Sequence, residues 1–353
     1  MNLPLLHKLV IKTNLRVFLY TLSFLVIGLS VSACGAGTVQ PTPTKATTKT
    51  SIQLHWLHSV SFSPFYIATD KGYFANEGLD VGILAGGFDE KGNFIDPIER
   101  VVSGKADFGT ADSTTILNAR ASGKPVVAIA AIYQRHPLAL TSLRAKGIVK
   151  PQDLIGKTIQ TTGTSKILIQ ALLRSQGIDP QQVKIVERKD LTEKPLLTGE
   201  ADVIDAWLIT EIVTLKLNKV DVNLILPGDY GIEVYPEVLF TTEDMILKHP
   251  DVVNHFLRAT LNGIQTAVDN SQYAAQLSQK YDKEHSPENI TLAMDQSLPL
   301  LLPATRKPGF MDAKVWQYIY TMLKDQNLLD SSLAIEKAYT LTFLNDIYGN
   351  DAK

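Results

Sequence analysis

Cysteine is nearly absent from this sequence, since Cys34 is the only one among 353 residues. A lone cysteine excludes an internal disulfide, and a free exposed thiol would be a liability in an oxidising compartment. Charge of one sign is also missing, because the formal net charge is −2. This balance argues against a nucleic-acid partner, which requires a basic face. We expect a monomer that carries no cofactor.

Catalytic motifs are missing as well. The chain contains no GxSxG nucleophile turn and no HExxH metal motif, and its seven histidines are scattered. We therefore expect no metal site and no catalytic residues. The sequence predicts a protein that is not an enzyme.

Acidic residues are absent before Cys34, whereas Lys8, Lys12 and Arg16 precede an apolar run. A basic start, an apolar stretch and small residues at its end predict a secretory signal peptide over 1–33. The tetrapeptide Val31-Ser32-Ala33-Cys34 resembles the bacterial lipobox, whose cysteine is diacylated, so we expect lipidation at Cys34. The alternative is an uncleaved anchor, since the run is at the short edge of a membrane span.

Apolar residues are scarce between Cys34 and Thr50, where glycine, proline and threonine dominate. Such a segment cannot bury a core, so 34–50 is predicted to be a flexible tether. Strand-like and helix-like patterns alternate from Ser51 onward, which predicts an α/β fold with mostly parallel strands. Beyond position 240 the pattern is nearly all helical.

One short pattern occurs twice. The stretch "SGKADFGTAD" ends at Asp112, and "TGEADVIDAW" ends at Trp207. Each glycine is placed to end a helix with positive φ, just before a strand whose carboxyl end is a candidate ligand edge. The repeat therefore predicts two α/β units that face each other across a cleft.

The segment "WLHSVSFSPFYIATDKGYFANEGLDV" resembles the start of type II periplasmic substrate-binding proteins of the nitrate/sulfonate/thiamine-pyrimidine group. "LIGKTI", "GEADVIDAW" and "HPDVVNHFLRATLNGIQTA" resemble later blocks of that group, in order. The resemblance implies a two-lobed fold with a cleft and a helical C-terminal part. It places lobe 1 at 51–138 plus 236–353 and lobe 2 at 139–235.

Twelve residues are candidate ligand contacts, because they are aromatic or polar and fall at predicted strand ends, at helix starts or, for Tyr230, on the predicted second crossing between the lobes. Aromatic residues suit a flat ring, and helix N-termini suit polar or anionic groups. Core packing for the aromatic residues, and plain helix capping or a solvated position for the polar ones, stay open as alternatives. The candidates are Trp56, His58, Phe62, Tyr66, Asp112, Ser113, Thr164, Ser165, Asp205, Trp207, Glu211 and Tyr230.

The resemblance implies a solute-binding lipoprotein on the outer face of the bacterial cell membrane, with the permease and ATPase subunits of an ABC importer as partners. Basic residues do not cluster near the predicted walls, which disfavours nitrate and alkanesulfonates. A flat vitamin remains, and we expect riboflavin, with the thiamine pyrimidine precursor as the alternative. A pyrimidine-synthase-like enzyme and a sensor ectodomain are further alternatives, although we expect no second transmembrane segment or signalling domain.

Overall fold

The computed structural model describes residues 47–302, 306–329 and 333–349. The predicted signal peptide, Cys34 and most of the predicted tether lie outside the described residues. The first strand covers Thr48–Gln53, so it starts inside the segment that was assigned to the tether. Threonine is β-branched and suits an extended strand, which explains this earlier start. Within the described ranges, no helix has the length and apolar character needed to cross a membrane.

The described strands form two five-stranded sheets. In chain order they are β1 (Thr48–Gln53), β2 (Leu79–Leu84), β3 (Phe108–Ala111), β4 (Val126–Ala131), β5 (Leu138–Leu143), β6 (Thr158–Thr161), β7 (Lys184–Glu187), β8 (Val203–Trp207), β9 (Val222–Ile225) and β10 (Val238–Thr242). The first sheet has the order β2-β1-β3-β10-β4, and the second has the order β7-β6-β8-β5-β9.

All strands but one are parallel in each sheet. The exception in the first sheet is β10, which is antiparallel to β3 and β4. The exception in the second is β5, which is antiparallel to β8 and β9. Each exception is the strand that the chain enters directly after leaving the other sheet. The predicted α/β fold with mostly parallel strands is confirmed.

Helices connect and cover these strands. They are α1 (Ser63–Asp70), α2 (Tyr73–Asn76), α3 (Pro97–Val102), α4 (Ser113–Ala121), α5 (Gly163–Ser175), α6 (Lys194–Leu197), α7 (Glu211–Leu217), α8 (Glu243–Lys248), α9 (Pro250–Asp269), α10 (Ser271–Ser278), α11 (Pro287–Leu301), α12 (Ala313–Asp325) and α13 (Thr342–Tyr348). The chain after β10 is helical, as predicted, and α9 packs on α1 and α2 beside the first sheet.

The repeated pattern has the same structural role in both units. Gly104 and Gly199 end their helical segments with φ of +71° and +76°. The aspartate of the first copy, Asp107, accepts a hydrogen bond from the backbone N–H of Ser51 at 2.9 Å. In the second copy, Asp202 accepts one from the backbone N–H of Thr158 at 3.1 Å. Each aspartate therefore ties the start of its own strand to the backbone of the neighbouring strand, within β1 in the first copy and at the start of β6 in the second.

Helix α9 lies unusually close to α1. A Cβ atom placed on Gly263 would be 2.1 Å from the carbonyl oxygen of Pro64. Contacts this short do not occur, so only glycine allows the two backbones to approach here. Helix α9 also contributes to the core of the first lobe through Phe256, whose ring stacks on Phe108 with ring centroids 4.0 Å apart.

Replacing Gly263 with alanine should therefore force α9 and α1 apart. We expect Gly263→Ala to lower the free energy of unfolding by about 1 to 3 kcal/mol, as overpacked cores do, despite the better helix propensity of alanine. Urea unfolding measures the change. Gly163→Ala is the matched control, because nothing lies within 4 Å of its added Cβ and its φ is not positive. Equal stabilities of the two variants would contradict the close approach.

Candidate functional site

Two chain crossings connect the sheets. They join the neighbouring strands β4 and β10 of the first sheet to the neighbouring strands β5 and β9 of the second. The first crossing is residues 132–137, from β4 to β5, and the second is residues 226–237, from β9 to β10. The last residue of β3, Ala111, pairs with the start of β10, and the last residue of β8, Trp207, pairs with the start of β5. Ligands in open α/β sheets bind outside carboxyl strand ends. The candidate cleft therefore lies along the crossings, between these two edges.

On the first lobe's edge, Asp112 caps helix α4. Its carboxylate accepts hydrogen bonds from the backbone N–H of Thr115 at 2.9 Å and from the Thr115 hydroxyl at 2.6 Å. The Thr114 hydroxyl also donates to it. Asp112 is half-buried, so it faces the cleft edge while it serves as a cap.

Two histidines that the sequence analysis did not select lie near Asp112. His55 follows β1, and its Nδ1 is 3.1 Å from the hydroxyl oxygen of Thr110. His136 lies in the first crossing, and its Nδ1 accepts a hydrogen bond from the backbone N–H of Leu138 at 3.0 Å. Loss of water around each ring lowers both pKa values to about 4, although the charge of Asp112 acts in the opposite direction. Both imidazoles are therefore neutral at neutral pH.

On the second lobe's edge, Trp207 ends β8 and is half-buried. Its ring centroid is 5.4 Å from that of His136, with the planes tilted by 59°. The backbone N–H of Trp207 donates to the Glu211 carboxylate at 3.0 Å. Glu211, at the start of α7, thereby holds the loop that carries the indole.

The predicted contact Asp205 is committed to the interior of the second lobe. Its carboxylate forms a 2.9 Å ion pair with Arg188, and the two side chains are 3% and 2% exposed. It also accepts hydrogen bonds from the backbone N–H of Thr162 at 3.0 Å and from two threonine hydroxyls. Asp205 therefore positions the start of α5 through these contacts, and ligand contact by its side chain stays a prediction.

Helix α5 starts at the same edge, in the stretch "TTGTS". Thr162 precedes the helix, and its hydroxyl lies 3.3 Å from that of Ser165, which is buried. Thr164 is exposed in the first turn. The arrangement leaves Thr164 available to a ligand, whereas Ser165 is turned into the lobe.

Trp56 belongs to an exposed aromatic cluster on the first lobe. Its indole contacts Phe88 and Phe94, with ring centroids 5.8 and 6.4 Å apart. The two phenylalanines pair across a tight loop and are 58% and 51% exposed, and Trp56 itself is 39% exposed. Sequence reasoning missed the phenylalanines, although aromatic residues on both sides of the turn "DEKGN" were a visible signal. Among the described residues, no ring contact joins Trp56 to Trp207.

Three of the predicted contacts lie in the core of the structure. Phe62, Tyr66 and Ser113 each have no exposed surface. Phe62 packs edge-on to His55, and the Ser113 hydroxyl donates to the Tyr235 carbonyl at 3.0 Å. The aromatic residues at the start of α1 pack into the core, because α9 and α10 cover this helix.

Tyr66 also contacts His58, another predicted ligand contact, and occupies one of its ring nitrogens. The Tyr66 ring stacks on Tyr281 at 3.9 Å, and its hydroxyl is 2.9 Å from Nδ1 of His58. His58 is half-buried and its ring lies 5.5 Å from that of Tyr281. The structure therefore connects His58 to a polar network under the first lobe's helices.

A cavity of about 370 Å³ opens beside the crossings. Its wall includes Leu208 from the second lobe and residues of α11, in addition to both crossings. Its polar lining includes Gln134, His136, Gln296 and Arg306. The predicted contact Tyr230 lies in the second crossing, half-buried against the core. The volume is within the range of small-molecule pockets, about 300 to 1,000 Å³.

The two sheets, the paired crossings and the cleft along the strand ends define a type II periplasmic-binding-protein fold. Residues 59–274 match the model of the family described as "NMT1/THI5 like". The chain therefore belongs to the NMT1/THI5-like family, and its resemblance to the nitrate/sulfonate/thiamine-pyrimidine group of substrate-binding proteins is confirmed.

Two relatives are similar over nearly their whole length. Riboflavin-binding protein RibY of Chloroflexus aurantiacus is 26% identical over 92% of this chain and 97% of its own. The formylaminopyrimidine-binding protein of Halalkalibacterium halodurans is 26% identical over 90% and 97%. A Legionella pneumophila relative named as a 4-amino-5-hydroxymethyl-2-methylpyrimidine phosphate synthase is 24% identical over 86% and 95%.

A solved structure agrees with the fold. The periplasmic aliphatic sulphonate binding protein SsuA of Escherichia coli superposes with a TM-score of 0.65 at 12% identity, over 82% of this chain and 91% of that protein. At this identity the likeness concerns the fold alone.

The buried ion pair at the second wall should be important for stability. Arg188→Met would leave the Asp205 carboxylate buried without its cation, so we expect a loss of about 3 to 5 kcal/mol in the free energy of unfolding. Arg135→Met is the matched control, because the 2.9 Å pair of Arg135 with Asp229 is half exposed on both sides. Exposed pairs contribute about 0 to 1 kcal/mol. Similar urea midpoints for the two variants would contradict this assignment.

Proposed function

We propose that this chain is the extracytoplasmic solute-binding lipoprotein of an ABC importer and that it captures riboflavin for delivery to the permease and ATPase subunits. The observation that carries the proposal is the pairing of aromatic and neutral polar groups at the cleft. An indole is available on each wall, from Trp56 and from Trp207, and the neutral imidazole of His136 lies in the first crossing beside Trp207. Such a site suits a large, uncharged, flat heterocycle.

The disposition of charge supports an uncharged solute. Arg188, the buried cation of the second lobe, is paired with Asp205 and Glu211. Arg135, at the cavity wall, is paired with Asp229. A nitrate or alkanesulfonate site would need a cation whose charge is free for the anion. These pairings leave Arg188 and Arg135 without free charge for an anion, whereas Arg306 lines the cavity and contacts the neutral Gln134 side chain and the Phe310 ring. The likeness to SsuA supports the fold alone.

The thiamine pyrimidine precursor is the second candidate. Glu211 lies directly behind the Trp207 backbone and its side chain is 16% exposed. A carboxylate beside an indole would accept a hydrogen bond from an amino group on a stacked pyrimidine. The formylaminopyrimidine-binding relative supports this alternative as strongly in identity as RibY supports riboflavin.

We propose binding without catalysis. Some relatives are named as synthases, so an enzyme of that kind is the competing class. Two relatives that match 92% and 90% of this chain are both named as binding proteins. The names of these relatives favour a binding protein. The site also has an open, solvent-facing aromatic wall, which suits the capture and release of a solute.

The location is proposed from the sequence. Cleavage before Cys34 and diacylation of its thiol would place the protein on the outer face of the cell membrane. We expect Cys34→Ala to abolish metabolic labelling with palmitate and to release the protein or leave its signal uncleaved. Ser32→Ala is the control and should be labelled normally, because only Cys34 offers a thiol. Unchanged labelling of Cys34→Ala would contradict the lipoprotein assignment.

The tryptophans provide the test of the solute. We expect Trp56→Ala or Trp207→Ala to weaken riboflavin binding about ten- to a hundredfold, since each removes an aromatic face and each 1.4 kcal/mol is about tenfold. Bound riboflavin should be quenched by a stacked indole, and the quenching should decrease in the same variants. Fluorescence titration measures both quantities.

Trp316→Phe is the matched control, because Trp316 is fully buried and stacks on Tyr339, so its indole offers no face to a ligand. It should bind and quench like the unaltered protein. Normal affinity in both cleft variants, with native circular dichroism, would show that the solute binds elsewhere. Tight binding of formylaminopyrimidine without riboflavin binding would favour the second candidate.

A further inference from the structure

His136 is a polar ring in a chain crossing that contacts an aromatic residue of the second lobe. It belongs to the first crossing, its ring contacts Trp207 of the second lobe, and it lines the cavity beside the crossings. The ring is half-buried, so it is reachable from the cleft and yet held by its surroundings.

The hydrogen bond at Nδ1 determines where the imidazole proton is. The backbone N–H of Leu138 donates to Nδ1 at 3.0 Å, so this nitrogen must present a lone pair. A neutral imidazole with an unprotonated Nδ1 carries its proton on Nε2. Desolvation lowers the pKa of His136 to about 4, which supports a neutral ring at neutral pH. The fold therefore fixes one tautomer.

The Nε2–H group has no hydrogen-bond acceptor among residues 47–302, 306–329 and 333–349. Asp112 raises the pKa of the ring through its charge, but it accepts its hydrogen bonds from Thr114 and Thr115. The Nε2–H group is not among the fully buried unpaired atoms of the described residues, so this donor at the cavity wall is accessible and available to a ligand.

We infer that His136 is a solute-binding residue whose Nε2–H donates a hydrogen bond to an acceptor atom on the edge of a ring bound against Trp207. This inference rests on the proposed function. The acceptor is a carbonyl oxygen or an unprotonated ring nitrogen, so the site selects heteroaromatic solutes with an acceptor there. A solute that presents an N–H or amino group at that position is rejected, since two donors would face each other.

Two substitutions separate this role from the support that His136 gives to Leu138. His136→Asn keeps an acceptor near the Nδ1 position but has no donor where Nε2 was. His136→Gln places an amide N–H near the Nε2 position and loses the acceptor for Leu138. We expect His136→Asn to weaken riboflavin binding about five- to fiftyfold and His136→Gln to stay within about threefold of the unaltered protein.

Calorimetric titration with riboflavin measures both variants. Unchanged affinity in His136→Asn, or an equal loss in both variants, would overturn the inference. If the unaltered protein binds formylaminopyrimidine and not riboflavin, the proposed solute fails, and the same pair of variants is judged with formylaminopyrimidine.

A measurement without ligand provides the independent test. Nitrogen-15 correlation spectra of the imidazoles distinguish the two tautomers and the charged ring. We expect His136 to be neutral with its proton on Nε2 between about pH 6 and pH 8. A proton on Nδ1, or a charged ring in this range, would overturn the inference whichever solute binds.

Discussion

The hydrogen bonds between the two chain crossings are the constraint on which the cleft depends. The N–H groups of Ile132 and Tyr133 donate to the carbonyl oxygen of Glu237 at 2.9 and 3.3 Å. They hold the end of β4 beside the start of β10, so the two crossings meet the first sheet side by side. Burial raises the pKa of the Glu237 carboxyl well above its usual range, which favours the neutral form of this side chain at the junction. The carboxyl edges of both sheets are thereby kept next to each other.

Each wall of the cleft uses its charged groups internally. Asp112 caps α4, and Asp205 is paired with Arg188 while it holds the start of α5. Buried charges are tolerated only with such partners, because an unpaired one is costly. What remains for a solute is largely apolar and neutral, with two indoles, exposed phenylalanines and imidazoles, and Arg306 and Glu233 are the charged side chains of the cavity lining that form no ion pair within the described residues. The same pairing that stabilises the lobes therefore makes the site suitable for an uncharged aromatic ring.

Much of the architecture could be predicted from the sequence, because it depends on local patterns. The two copies of Gly-x-Ala-Asp mark equivalent turns, and Asp112 and Trp207 do lie at the strand ends that follow them. The direction in which each side chain points could not be predicted from these local patterns. Phe62 and Tyr66 are buried because α9 and α10 cover them, and these helices are far away in sequence. His136 was missed because its role depends on Trp207, which only the folded crossing brings near.

Native mass spectrometry tests the central claim most directly. The protein is mixed with equal concentrations of riboflavin, formylaminopyrimidine and an alkanesulfonate. All three compete for one cleft under one condition, so the retained mass identifies the solute. The account predicts a complex with one riboflavin per chain, because the cleft offers aromatic faces and neutral donors. A complex with the alkanesulfonate or with formylaminopyrimidine in place of riboflavin would contradict it.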